Sequence, residues 1–151
     1  MTGEAAVFVE TAARLHFGVL DLRGDRGRWF GGIGAAAPAP TLLVSAVDAE
    51  TIEVEGEEAE RAAAFAEQVR GHYRLARGAR IRVHRALPSH VGLGSGTQLA
   101  LAVARALTEL HGIEATPQEL ARVVGRAQRS AIGTWTFGGG GLVVEGGRKV
   151  G

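Results

Sequence analysis

No cysteine occurs in the 151 residues, which excludes disulfides and thiolate-held metals and is compatible with the cytosol. A charge excess of one sign is lacking as well. Lys+Arg 17 against Asp+Glu 16 leaves a net charge of +1, too little for a field that gathers polyanions. A basic stripe with interleaved aromatics is also missing, so nucleic acid is not an expected partner and an RNA-binding module stays a distant alternative. No run of about 18 apolar residues occurs, and Met1 to Ala5 carry neither a charged n-region nor an apolar h-region. The expectation is a cytoplasmic protein with no membrane partner. His16, His72, His84, His90 and His111 show no zinc-ligand spacing. Apolar residues make up 46% of the chain, enough for one well-packed domain over residues 1–151.

What is present is glycine, concentrated where a strand should hand over to a helix. Ile81 to Arg85 alternates apolar and polar residues as a half-buried strand does, and Thr97 to His111 is an Ala/Leu-rich run of high helix propensity. Between them, Pro88 to Gln98 reads PSHVGLGSGTQ. Glycines there allow positive φ and close approach of a ligand to the backbone. The first amides of the helix have no intrahelical acceptor and sit at the positive end of its dipole, so a phosphate can satisfy them. Two familiar phosphate loops are excluded: no Gly-Lys-Ser/Thr follows, and Gly92, Gly94 and Gly96 lack the spacing of a dinucleotide fold. The local alternative is a tight connection with Ser95 or Thr97 as the helix N-cap.

Along the rest of the chain, Val7 to Phe17 predicts a strand, residues 23–27 a turn, and Trp29 to Ala37 a returning strand that completes a hairpin. Pro38 and Pro40 predict a break, followed by strands over Leu42 to Val47 and Thr51 to Glu55. Ala62, Phe65, Ala66, Val69 and Tyr73 are spaced for an amphipathic helix from Glu57 to Tyr73. Thr116 to Glu119 has the form of a capping box with proline at the first helical position, opening a helix to about Val124. Thr134 to Phe137 and Gly141 to Val144 read as closing strands. The pattern describes an α+β domain with a mixed, largely antiparallel sheet and helices on one side.

The loop form P-x-x-x-G-L-G-S-G resembles the phosphate loop of the GHMP kinase superfamily. Three further blocks narrow the resemblance: ARLHFGVLDL over Ala13 to Leu22, WFGGIG over Trp29 to Gly34, and RSAIGTWTF over Arg129 to Phe137. Together the four resemble the beta-ribofuranosylaminobenzene 5'-phosphate synthase family, from about Val9 to Glu145. The resemblance implies a ribosomal-protein-S5 domain-2-like fold, the GHMP N-terminal domain, with a left-handed βαβ crossover. It also implies a C-terminal domain beyond this chain, which would leave an apolar face where that domain packs; a homo-oligomer is the other way to complete a site. The implied reaction is transfer of phosphoribose from phosphoribosyl pyrophosphate to a 4-hydroxy- or 4-aminobenzoate. Carbon dioxide and pyrophosphate are lost, in tetrahydromethanopterin-type cofactor biosynthesis, with Mg²⁺ as cofactor. GHMP kinases carry an S-G-x-D element whose Asp helps activate the substrate hydroxyl. Here the stretch is Ser130 to Gly133, with Ala131 in place of its glycine and Gly133 in place of the carboxylate, which disfavours phosphoryl transfer to an alcohol. An ATP-dependent GHMP small-molecule kinase and a truncated, non-catalytic phosphate-ligand-binding domain remain the alternatives.

The implied site residues divide by role. Arg14 and His16, two apart and so on one strand face, and Asp21 are the catalytic candidates: a guanidinium fork for phosphate or carboxylate, an imidazole donor, and a carboxylate for Mg²⁺ or for the positive charge of an oxocarbenium-like ribose. The alternative is a solvated strand face. Gly92, Leu93, Gly94, Ser95, Gly96 and Thr97 would hold the diphosphate, with the Ser95 hydroxyl also on the metal. His90, Gln98, Arg129 and Ser130 are candidates for the substrate, with loop packing as the alternative for His90 and a place behind the ligand for Gln98. Trp29, Trp135 and Phe137 could wall a benzoate ring or belong to the core. The arginines from Arg70 to Arg85 read as a solvated face.

Overall fold

A computed structural model describes residues 4–128 and 130–151. Six strands and four helices follow in the order β1 (Val7–Asp21), β2 (Arg28–Ala49), β3 (Ile52–Gly56), α1 (Ala59–Tyr73), β4 (Gly78–Arg85), α2 (Ser95–Leu110), α3 (Pro117–Val123), α4 (Ile132–Gly139), β5 (Leu142–Glu145) and β6 (Arg148–Lys149). The main sheet runs β1-β2-β4-β3, and β5 and β6 pair with the first half of β2. All pairs are antiparallel except β3 with β4, which are parallel and joined through α1. The expected mixed, mostly antiparallel α+β architecture is what the chain adopts.

The helices lie on one side of the sheet, the side to which β4 turns its apolar residues. In β4, Ile81 and Val83 are buried while Arg80, Arg82 and His84 are exposed, the alternation of a sheet with one wet face. On that wet face Arg80 meets Glu53 and Arg82 meets Glu55 in direct cross-strand register, and Arg77 pairs with Asp48, so these arginines are the solvated set that the sequence indicates. The central helix is α2, buried on every side from Gln98 to Ala104. Such a helix must be covered all round, and the sheet lies on one side of it with α1, α3 and α4 on the others.

Two expected boundaries differ from the structure. Pro38 and Pro40 do not end a strand: β2 runs through them for 22 residues. The ladder accommodates them by a register shift in which Ala12 faces Thr41 while Ala13 faces Ala37. Residues 38–40 are thereby left without partners on β1, where a missing N–H costs nothing. Thr134 to Phe137, read as a strand from β-branched and aromatic residues, belongs instead to α4. Packing overrides propensity there. Ile132, Gly133, Thr134 and Thr136 are buried, and a Cβ on Gly34 of β2 would overlap the Ile132 side chain, so the glycine-rich strand makes the groove in which this short helix lies.

The opposite face of the hairpin is apolar and uncovered. Leu15, Phe17, Ile33, Leu142 and Val144 are exposed, and the register sets Ile33 opposite Val144.

The capping box at α3 is complete: the Thr116 hydroxyl accepts from the Glu119 amide, and the Glu119 carboxylate accepts from the Thr116 amide at 2.7 Å. The Thr116 amide, and after it the Thr116 hydroxyl, donate to the Glu119 carboxylate and hold its carboxyl below its ordinary value. A carboxyl so depressed contributes stability that is complete above the ordinary carboxylate range and is lost as pH falls through the lowered value. Thr116→Ala should cost about 1 kcal/mol and lower Tm by about 2–4 °C in a thermal melt at neutral pH. Between wild type and variant the gap should narrow in acid; an unchanged Tm at neutral pH would contradict this role.

Candidate functional site

A change of strand phase brings the first candidates inward. Before the register shift between Ala12 and Ala13, Val9 and Thr11 face the core; past it, Ala13 is buried and Arg14 and His16 are partly buried, while Leu15 and Phe17 are exposed. The bulge re-aims alternate side chains, and Arg14 is directed beneath the glycine loop. The Arg14 amide donates to the Leu93 carbonyl at 3.0 Å. A Cβ on Gly94 would fall 2.6 Å from Arg14 Cγ and 2.7 Å from its Nε. Gly94, at φ +72°, is therefore required twice, for its left-handed backbone and for the side chain beneath it. Leu93 anchors the loop by packing on the core.

The helix begins at Ser95 with Gly94 as N-cap, and no side chain caps it. Neither Ser95 nor Thr97 takes the capping role open to it. The first intrahelical bond runs from the Gln98 amide to the Gly94 carbonyl, which leaves the amides of Ser95, Gly96 and Thr97 without intrahelical acceptors. These residues line a cavity of about 270 Å³ together with Arg14, His90, Gly92, Leu93, Gly94, Arg61 and Arg126.

Arg61 and Arg126 were not legible in the sequence as site residues. They come from α1 and from the segment after α3, and their guanidinium Nη2 atoms would lie 2.7 and 3.4 Å from a Cβ on Gly96. Arg61 pairs with Glu58 at 2.8 Å, and Glu58 also accepts from the Ser89 hydroxyl at 3.0 Å. Those two bonds hold the Glu58 carboxyl below its ordinary value. Arg14 and Arg126 have no carboxylate partner among the described residues. Burial lowers the pKa of both, and for Arg126 the neighbouring charge of Arg61 adds to it. Arg126 is steadied by the Phe65 ring, with its Cζ 5.2 Å from the centroid. Arg14 Nε is buried without a hydrogen-bond partner. Three guanidiniums and a helix N-terminus thus converge with a single nearby carboxylate, an arrangement that an anion relieves.

The other candidates disperse. His16 points inward, its Nε2 buried and unpartnered, against Gly32, where a Cβ would lie 3.0 Å away. Asp21 is at the far end of the hairpin, seven residues along β1 from Arg14. Its oxygens accept from the amides of Arg23, Gly24 and Arg26; it organises the turn rather than joining the cavity. Gln98 lies beneath the cradle, fully buried, accepting from the Thr11 hydroxyl at 2.8 Å and donating to the Gly133 carbonyl at 2.9 Å. It ties β1, α2 and α4 together, and both ends of its amide are taken. The Ser130 hydroxyl accepts from the Ile132 amide at the start of α4. Arg129 is outside the described residues. Phe137 packs on the core, Trp29 lies under Arg148, and Trp135 alone of the three expected aromatics lines a cavity.

Position 133 is closed as well as uncharged. A Cβ there would sit 3.0 Å from Thr97 Cγ2 and 3.4 Å from Gln98 Nε2, so this backbone has little room for the carboxylate of the kinase element. Ser95 and Glu58 line one closed recess, where the Glu58 carboxylate is taken by Arg61 and Ser89. No cluster of three His, Asp or Glu able to hold an ion occurs among the described residues.

Comparison with known proteins places this geometry in a class. The model for the GHMP kinases N terminal domain matches residues 57–141, and the chain belongs to that family. Solved structures share the fold: mevalonate kinase of Methanococcus jannaschii at TM-score 0.68 and 13% identity, over 94% of this chain and 53% of that one. A D-glycero-D-manno-heptose 1-phosphate kinase from Bacteriodes thetaiotaomicron aligns at TM-score 0.70 and 16% identity, over 95% and 57%. Among curated proteins, the chain is similar to beta-ribofuranosylphenol 5'-phosphate synthase of Archaeoglobus fulgidus, 41% identical over 93% of this chain and 45% of that protein. The synthase of the same name from Methanothermobacter thermautotrophicus is 36% identical over 95% and 46%. The chain spans about half the length of these relatives. No helix of the described residues is long and apolar enough to cross a membrane.

The turn assignment of Asp21 has a measurable consequence. Its carboxyl is held below its ordinary value, chiefly by the Arg26 and Arg23 amides, so the turn is fully supported at neutral pH and loses that support as pH falls through the lowered value. Asp21→Asn should accelerate amide hydrogen exchange at residues 23–26 and leave anion affinity at the cradle unchanged; a tenfold loss of that affinity would return Asp21 to the site.

Proposed function

We propose that this chain carries the donor-binding part of a phosphoribosyl-transferring, decarboxylating synthase of the kind its curated relatives are named for. The observation that carries the reading is the cradle: three guanidiniums and the open amides of α2 around about 270 Å³, a charge and size suited to a diphosphate. The donor would be phosphoribosyl pyrophosphate and the acceptor a 4-hydroxy- or 4-aminobenzoate, of which the hydroxy acid gives a phenol. The ring carbon bearing the carboxylate bonds to the anomeric carbon, and the bond from that carbon to diphosphate oxygen breaks with its electron pair. The carbon–carboxylate bond then breaks, carbon dioxide leaves and the ring regains its aromaticity.

In this scheme the residues of the chain act mainly by position and charge. The Ser95 to Thr97 amides and Arg61 and Arg126 hold the leaving group, and Arg14 adds charge from beneath the loop. Mg²⁺, where bound, would neutralise the diphosphate, with Ser95 Oγ as the nearby protein oxygen. Gly133 supports transfer without a hydroxyl-activating base. Such a synthase serves tetrahydromethanopterin-type cofactor synthesis, and a C-terminal domain or a second copy would complete the acceptor side.

Calorimetric titration of the chain with phosphoribosyl pyrophosphate and separately with ATP, both with Mg²⁺, tests the reading. The ribose donor should bind and ATP should bind at least tenfold more weakly, and Arg126→Gln should weaken the donor about 10- to 100-fold, as loss of a charge-assisted bond of about 1.5–3 kcal/mol implies. A preference for ATP would establish the kinase alternative. Donor binding with no turnover on either benzoate would establish a binding domain that needs its completing part.

A further inference from the structure

Three guanidiniums line the diphosphate cavity, and each is restrained in a different way. Arg14 lies beneath Gly94, Arg126 stacks on the Phe65 ring, and Arg61 is held by a carboxylate, that of Glu58. An acid beside an anion site opposes the ligand by its charge, so its presence needs a reason.

Stability does not supply one. The Arg61 and Glu58 side chains are 41% and 29% exposed, and pairs so open to water stabilise a fold little. Helix capping does not supply one either: Glu58 occupies the N-cap of α1, but its side chain makes no capping bond. Its backbone is left-handed, at φ +57°, a region that glycine or asparagine enters at less cost. A glutamate held there against its backbone preference directs attention to what the side chain does.

Both oxygens of that side chain are engaged, and on different elements. Oε2 accepts from Arg61 Nη1 at 2.8 Å, and Oε1 accepts from the Ser89 hydroxyl at 3.0 Å. With Nη1 so held, the other nitrogen of the Arg61 fork turns to the cradle: Nη2 is the atom that would lie 2.7 Å from a Cβ on Gly96, in the first turn of α2. A free arginine side chain would lose its rotamer freedom when the ligand arrives, whereas this one is already ordered. Ser89 leads into the glycine loop, and His90 after it is also left-handed, at φ +59°. The Ser89 bond therefore ties the entry of the loop to the start of α1.

We propose that Glu58 is a positioning residue of the cradle: it aims Arg61 at the first turn of α2 and fixes the entry of the glycine loop, so that removing this acid weakens the binding of a diphosphate. The role rests on the proposed site for its ligand, and it reverses the sign that charge alone would give.

Calorimetric titration of the full chain with inorganic diphosphate, at constant ionic strength, separates the two effects. Glu58→Ala should weaken binding about tenfold, because the ligand must then order the Arg61 side chain itself; charge alone would tighten it. Glu58→Gln can still accept from Arg61 with its carbonyl oxygen and donate to Ser89 Oγ with its amide, and it should bind at least as tightly as wild type. In an Arg61→Gln background the Glu58→Ala loss should shrink to that of Ser89→Ala, the share carried by the loop. Far-UV circular dichroism checks that each variant is folded. Binding by Glu58→Ala as tight as wild type, Glu58→Gln as weak as Glu58→Ala, or a loss undiminished in Arg61→Gln overturns the assignment. Phosphoribosyl pyrophosphate is titrated in parallel. If wild type binds it and Glu58→Ala is unimpaired, the positioning role falls and the synthase reading stands; if diphosphate gives the expected pattern and the ribose donor does not bind, the reverse holds. Binding of neither by wild type overturns both.

Discussion

A guanidinium with no carboxylate partner, lodged under a glycine loop, is the constraint on which the rest of this structure depends. Burial disfavours the charged form of Arg14, and its Nε has no acceptor. Nothing in the core gains from that arrangement, so the surrounding elements must hold it in place. The strand phase changes beside the bulge at residues 38–40, which leaves Arg14 partly buried; Leu93 fixes the loop above it through the bond to the Arg14 amide; and Gly94 leaves the space its side chain fills. Strain and desolvation of this kind gather at sites whose ligand removes them. A bound diphosphate would supply the missing charge, and by mass action would stabilise the fold by about 2.7 kcal/mol at a hundredfold excess over Kd.

The elements whose information is local were legible in the sequence. The glycine loop, the helix after it, the capping box at Thr116 and the hairpin each rest on a few adjacent residues, and each occurs close to where the sequence places it. The elements settled by distant contacts were not. Thr134 to Phe137 has strand propensity, yet Gly34, a hundred residues earlier, makes the groove that turns it into a helix. Pro38 and Pro40 predict a break, yet a register shift between two long strands absorbs them. The same division runs through the site. Arg14 and the loop were found from motifs, while Arg61 and Arg126 have no local signature, because only the packing of α1 and the segment after α3 on α2 brings them to the loop. Asp21 and Gln98 show the converse: each lies within a recognised block, but the first is consumed by a turn and the second by a buried bridge.

Gly133 joins these observations. Its missing side chain permits close contact of α4 with Thr97 and Gln98, and its carbonyl receives the Gln98 amide. That contact holds the first turn of α4 against the beginning of α2. A carboxylate at this position would supply a base, but its Cβ would lie 3.0 Å from Thr97 Cγ2, so the neighbour would have to give by a few tenths of an ångström. The trade is physical: one backbone position serves either as the seat of a catalytic base or as the contact between two helix starts. In this chain it is the contact, in keeping with the proposed transfer, which would have to hold an electrophilic sugar carbon against a ring rather than remove a proton from an alcohol.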